Sequence, residues 1–163
     1  MRTRSILALL LVLGLAVGAA AQTKVSGTAQ CGKPEAQHSI PVGDRPNHVF
    51  AISQAKCTWT KPLEIAGIQS KEGVSTIFAE IMGNTSRERE FYVDTMANGD
   101  KGYVRVQSTG TVKDGVPQTG EGTWTYVGGT GKLKGIKGKG TVKGKYNPDG
   151  TSTWEVEGEY TLP

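Results

Sequence analysis

Beyond residue 21 the apolar positions of this chain recur at every second residue and not at the three-to-four spacing of a helix. The C-terminal run shows this most plainly. Trp154, Val156, Gly158, Tyr160 and Leu162 alternate with Thr153, Glu155, Glu157, Glu159 and Thr161, so one face is dry and the other holds three carboxylates in water. The same reading places strands near Lys24–Gln30, His48–Trp59, Val74–Met82, Arg89–Ala97, Gly102–Val112, Gly120–Val127, Lys139–Tyr146 and Thr151–Leu162. Between them Asn98-Gly99-Asp100, Asp114-Gly115 and Asn147-Pro148-Asp149-Gly150 supply residues that tolerate positive φ in tight turns.

Two stretches break the pattern: 32–47, with Pro34, Pro41 and Pro46, and 60–73. Both are expected as irregular rim segments, the second holding the best candidate for a short helix at 62–69. No longer amphipathic helix is present after residue 21, so the fold class is all-β. Eight short antiparallel strands with one apolar face each must close or stack. Closure removes the edges that invite aggregation, so an eight-stranded antiparallel closed barrel of calycin-like architecture is expected, with a sandwich as the alternative. Such a barrel is either just packed or just hollow, and the pattern does not choose.

The N-terminus has a different pattern. Arg2 and Arg4 precede an apolar run from Ile6 to Val17 and then Ala19-Ala20-Ala21, the three parts of a cleavable signal peptide. The run falls short of the roughly 20 residues needed to span a bilayer. Residues 1–21 are therefore expected to be removed, leaving 22–163 as one domain in the periplasm or outside the cell. Cys31 lies too far from the cleavage point for a lipid anchor, and Arg2 and Arg4 are not adjacent as a twin-arginine signal requires. Loss of both arginines lowers the formal charge from +4 to +2, with 17 basic against 15 acidic residues. That balance gives no basis for nucleic-acid binding. The two cysteines, Cys31 and Cys57, lack CxxC spacing and read as a disulfide in an oxidising compartment. It would close a loop of about 26 residues, worth on the order of 3 kcal/mol in the chain-entropy model.

The stretch Gly128-Gly129-Thr130-Gly131-Lys132-Leu133-Lys134-Gly135-Ile136-Lys137-Gly138 resembles the glycine-rich turn of the allene oxide cyclase and dirigent-like barrels, and of small bacterial proteins that share that barrel. The resemblance covers about the last 45 residues, from Gly120 onward. It implies a barrel whose end is plugged by Leu133 and Ile136, with Gly135, Gly138 and Gly140 allowing strands to cross closely. Plant members cyclise an epoxide or steer radical coupling in the barrel cavity, but none of their catalytic residues maps onto a position here.

Three groups of side chains are candidates for chemistry. Strand parity puts Val74, Thr76, Phe78, Glu80 and Met82 on one face, Tyr92 with Asp94 on another, and Tyr103, Arg105 and Gln107 on a third. If these faces point inward, Glu80 or Asp94 would act as acid or base, Arg105 and Tyr103 would orient, and Phe78, Tyr92 and Gln107 would line a ligand site. Facing outward, the charged residues make cross-strand ion pairs. Lys132, Lys134, Lys137, Lys139, Lys143 and Lys145 suggest an anionic-surface patch or, alternatively, solubilising edge charge. His38, Asp44 and His48 share the disulfide-closed segment, too weak a pattern for a metal site. Asn84-Thr85-Ser86 fits a glycosylation sequon to which no role is attached.

There is no nucleophile elbow, phosphate loop or dinucleotide fingerprint, and no cofactor is expected. The leading expectation is an exported barrel that binds a small apolar molecule without catalysis. A cavity isomerase or cyclase comes second, and a structural envelope protein using the lysine-rich turn third. Oligomeric state stays open.

Overall fold

Residues 22–163 are described by a computed structural model, and in it the alternating runs become strands β1 (Thr23–Cys31), β2 (Ala36–Pro41), β3 (His48–Lys61), β4 (Glu64–Ile65), β5 (Ile68–Met82), β6 (Thr85–Met96), β7 (Lys101–Lys113), β8 (Val116–Gly129), β9 (Lys137–Tyr146) and β10 (Ser152–Thr161). The expected signal peptide, residues 1–21, lies outside the described residues. Eight strands form a closed antiparallel barrel in the order β3, β1, β10, β9, β8, β7, β6, β5, with β5 returning to β3. Among the described residues no helix is long and apolar enough to cross a membrane.

The two stretches expected to be irregular supply the remaining strands. β2 continues β1 along the same side of β3: Cys31 lies opposite Cys57, and further along Ala36 lies opposite Gln54. Between these points the Gly32 N–H donates to the Lys56 carbonyl and the Glu35 N–H to the Gln54 carbonyl, both at 2.8 Å. Pro34, which has no N–H to donate, falls at the interruption. In the second stretch no helix forms at 62–69. Ala66 (φ 52°) and Gly67 (φ 74°) make a two-residue turn that pairs Ile65 with Ile68. Positive φ at both central residues matches the twist of a hairpin, and alanine disguises the turn because it rarely adopts that conformation. Asp114 (φ 52°) and Gly115 (φ 77°) make the same kind of turn, as their sequence implies.

One end of the barrel is filled. Leu63, Ile65, Met96, Leu133, Ile136 and Tyr160 pack together there, Leu133 and Ile65 fully buried. The glycine-rich segment delivers Leu133 through a single 3-10 turn, Gly131–Leu133. That turn is anchored by the Lys132 N–H donating to the Asp100 carboxylate at 2.9 Å and the Lys101 N–H donating to Thr130 Oγ1 at 2.8 Å. Above the plug, Trp124 lies flat across the neighbouring strands over Gly140 and Gly158, where any Cβ would enter its ring. Its indole N–H donates to the Glu157 carbonyl at 3.0 Å. Glycine on those strands thus makes room for a large apolar ring, whose burial is worth about 2–3 kcal/mol.

The disulfide joins Cys31 to Cys57, adjacent across β1 and β3. It closes the segment that carries β2.

Candidate ligand cavity

The other end of the barrel is hollow, and side-chain size is the reason. Toward that end β3 turns Ala51, Ser53 and Ala55 inward and β5 turns Ser75 and Ala79 inward beside Ile77 and Ile81, so most inward side chains on these two strands are too short to reach the barrel axis. The space left is a cavity of about 310 Å³, at the lower end of the range for small-molecule sites. Its mouth is edged by Pro34, Gln37, Val116, Pro117 and Asn147, and its deep end by Trp59, Leu63, Trp124 and Tyr126. The lining is predominantly apolar and aromatic.

β6 contributes the polar groups. Inward parity on that strand falls on Ser86, Glu88, Glu90, Tyr92, Asp94 and Met96, so three carboxyl groups and a phenol line one wall. Asp94, 1% exposed, accepts from the Trp59 indole N–H at 2.9 Å and from the Ser70 hydroxyl at 2.8 Å. Burial pushes its pKa up, and these two bonds oppose the rise. Glu88, also buried, accepts from the hydroxyls of Ser86 at 2.8 Å and Ser108 at 3.2 Å. Glu90 lies between them. Desolvation raises its carboxyl to about 7; a bond from Ser75 opposes the rise and the charge of Glu88 adds to it. The Tyr92 ring lies against Gly73, and its buried hydroxyl oxygen has no hydrogen-bond partner. Burial raises the Tyr92 pKa as well, with the Asp94 charge adding to the rise.

The expected cluster of Glu80, Asp94 and Arg105 is not assembled. On β5 the register against β3 sets Ala51 opposite Ala79 and Ser53 opposite Ile77, and those residues face inward; Phe78 and Glu80 therefore face outward. Phe78 is 49% exposed and stacks on Phe50, ring centroids 5.6 Å apart, on the outer surface. On β7 the inward positions are Val104, Val106 and Ser108, which turns Tyr103, Arg105 and Gln107 outward. Tyr103 stacks on Phe91 there at 6.3 Å. Tyr92 and Asp94 are the two members of the expected set that line the cavity. Glu88 and Glu90 were missed, although they share the parity of Asp94 and follow from it once that face is known to be inward.

Glu80 instead meets His48 outside the barrel. His48 Nε2 lies 3.1 Å from Glu80 Oε1, and Nδ1 lies 2.6 Å from Asp44 Oδ1. Two carboxylates can only accept, so the doubly protonated imidazolium satisfies both. The bond to Asp44 is the main cause of a raised His48 pKa. His38 sits on β2 opposite Ile52, outside this group.

The six lysines do not form one uniform patch. Lys143 lies between Glu121 of β8 and Glu155 of β10, and Lys139 lies opposite Glu159, so the outer face of β9 is of mixed charge. Lys132 and Lys134 sit at the plugged end.

No protein-family model matches the chain, and no curated protein matches it significantly. Among solved structures, a protein of unknown function from the DUF3224 family of Shewanella oneidensis superposes with a TM-score of 0.50 at 19% sequence identity, covering 88% of this chain and 99% of that one. The likeness is one of fold. It agrees with a closed barrel and is silent on chemistry.

Proposed function

We propose that this protein is an exported barrel that takes up a small, largely apolar molecule through its open end and holds it without catalysis. The observation behind this reading is the hollow upper half: a cavity of about 310 Å³ with a predominantly apolar lining, open to solvent at one mouth and plugged at the other. A barrel needing only stability would gain by filling that space, since each unfilled volume forfeits packing contacts. The disulfide and the N-terminal signal pattern support export. The narrower likeness of Gly128–Gly138 to allene oxide cyclase and dirigent-like barrels belongs to the same reading, since those barrels work through their cavities.

The test uses 1-naphthalenemethanol, a neutral aromatic probe, and follows the fluorescence of Trp59, Trp124 and Trp154, all of which line the cavity. Saturable quenching is expected, and it should vanish in Ala55→Phe and Ala79→Phe, which fill the cavity from two walls. Undiminished binding in both folded variants would exclude the cavity as the site.

A second reading, acid–base catalysis on a bound molecule, is favoured by one observation: Glu90, held near 7, is poised to exchange a proton at neutral pH. In it Asp94 and Glu90 carry the chemistry. Glu80, Arg105 and Tyr103 take no part, because they face the opposite side of the sheet. Turnover of a retained molecule separates enzyme from carrier.

A further inference from the structure

The cavity wall made by β6 carries an excess of negative charge that nothing in the cavity neutralises. Among the described residues that line it there is no lysine, arginine or histidine, while Glu88, Glu90 and Asp94 all face inward. Arg87 and Arg89 sit beside these glutamates in sequence but occupy the outward positions of the same strand. Carboxylates in an apolar enclosure are costly unless paired, and internal pairing is not provided.

The three carboxylates differ in what they still lack. Both oxygens of Asp94 accept from Trp59 and Ser70, and both oxygens of Glu88 from Ser86 and Ser108. Glu90, one inward position from Glu88 and two from Asp94, has the opposing contact from Ser75 alone. One inward position further along β6, the Tyr92 hydroxyl is enclosed against Gly73, which leaves Glu90 as the polar group of this stretch that faces the cavity. An under-coordinated carboxylate therefore stands on this wall, able to accept further hydrogen bonds. The facing surfaces include the rings of Trp59, Trp124, Tyr126 and Trp154, whose π faces attract cations. Glu88 and Asp94 lie six residues apart on β6, about 20 Å along the strand, too far for the three carboxylates to chelate one metal ion.

We infer that the molecule taken up is an organic cation, a protonated amine on an apolar or aromatic body, with its ammonium group at Glu90 and its body against the tryptophans. This rests on the cavity reading above and adds the charge of the ligand to it. The ammonium supplies the N–H donors that this wall lacks, and the aromatic rings hold the remainder of the molecule out of water.

The test compares three probes that share one ring system and differ in charge: 1-naphthylmethylammonium, 1-naphthalenemethanol and 1-naphthoate, titrated into the purified protein at pH 8 and followed by calorimetry. The ammonium should bind at least tenfold more tightly than the alcohol, the effect of a single charge-assisted hydrogen bond, and the carboxylate should not bind. In Glu90→Gln the preference should fall below threefold, and the melting temperature verifies folding. Equal binding of ammonium and alcohol, or a preference that survives Glu90→Gln, overturns the inference and leaves the cavity reading standing. Failure of all three probes to bind overturns both.

Discussion

The desolvation of Glu90 has a consequence for stability that can be measured without any ligand. A carboxyl held at about 7 in the fold against an ordinary 4.5 is one whose protonated form the fold prefers. Its contribution to stability is therefore fully present below about pH 4.5 and is lost as pH rises through about 7. At about 1.4 kcal/mol per pH unit between those values the loss would reach about 3.5 kcal/mol, and solvent entering through the open mouth brings it down to about 3 kcal/mol. Glu90→Gln is close to isosteric and stays neutral, so it removes the pH-dependent loss while keeping the volume. Thermal melts of wild type and variant from pH 4.5 to 8.5 should give nearly equal midpoints at the acid end. At the alkaline end the variant should be ahead by roughly 6–12 °C, at about 2–4 °C per kcal/mol for a chain of this size. Asp94 is present in both proteins, so its own titration cancels in the difference. A midpoint difference that stays constant across the range, or a wild type that gains on the variant as pH rises, would refute the assignment of Glu90 to a desolvated wall.

Three further outcomes follow from geometry. Gly140→Ala would place a methyl group in the ring of Trp124 and against the backbone of β10; it should cost about 1–3 kcal/mol in urea unfolding, whereas Gly128→Ala, which meets the Tyr103 ring at an ordinary 3.5 Å, should be nearly neutral. Replacing Cys31 and Cys57 together by alanine opens a loop with a sequence separation of 26. The double variant should lose about 3 kcal/mol, and a denaturation midpoint insensitive to reductant would contradict this. In an NMR titration His48 should change charge above the ordinary 6.5, and Asp44→Asn, which removes the main cause of the rise, should bring it down; an unmoved titration midpoint would count against the Asp44–His48 bond.

Much of the architecture is legible along the chain because a strand in a barrel repeats every two residues and its turns demand particular residues. β10 is the clearest instance, with glutamates outside and Trp154, Val156 and Tyr160 inside. The elements hardest to read are those whose cues are masked: β2, which is separated from β1 by Pro34 and ends at Pro41, and the β4–β5 turn, made by an alanine at positive φ. The candidate site was less accessible, since alternation tells that a strand has two faces without telling which is inward. On β5 both faces carry large apolar groups, Ile77 and Ile81 on one and Phe78 and Met82 on the other, and the choice between them is made by the pairing of Ala79 with Ala51 on β3. On β6 the run Arg87-Glu88-Arg89-Glu90 is charged at every position, so hydrophobicity is uninformative there.

Local sequence, then, determined the all-β class, the tight turns and the cysteine pair, because each depends on neighbours within a few residues or on a single chemical possibility. Which carboxylates face the cavity, and that the cavity is hollow, was decided by tertiary structure. Those properties depend on strand register around a closed ring and on the summed size of side chains contributed by strands far apart in the chain.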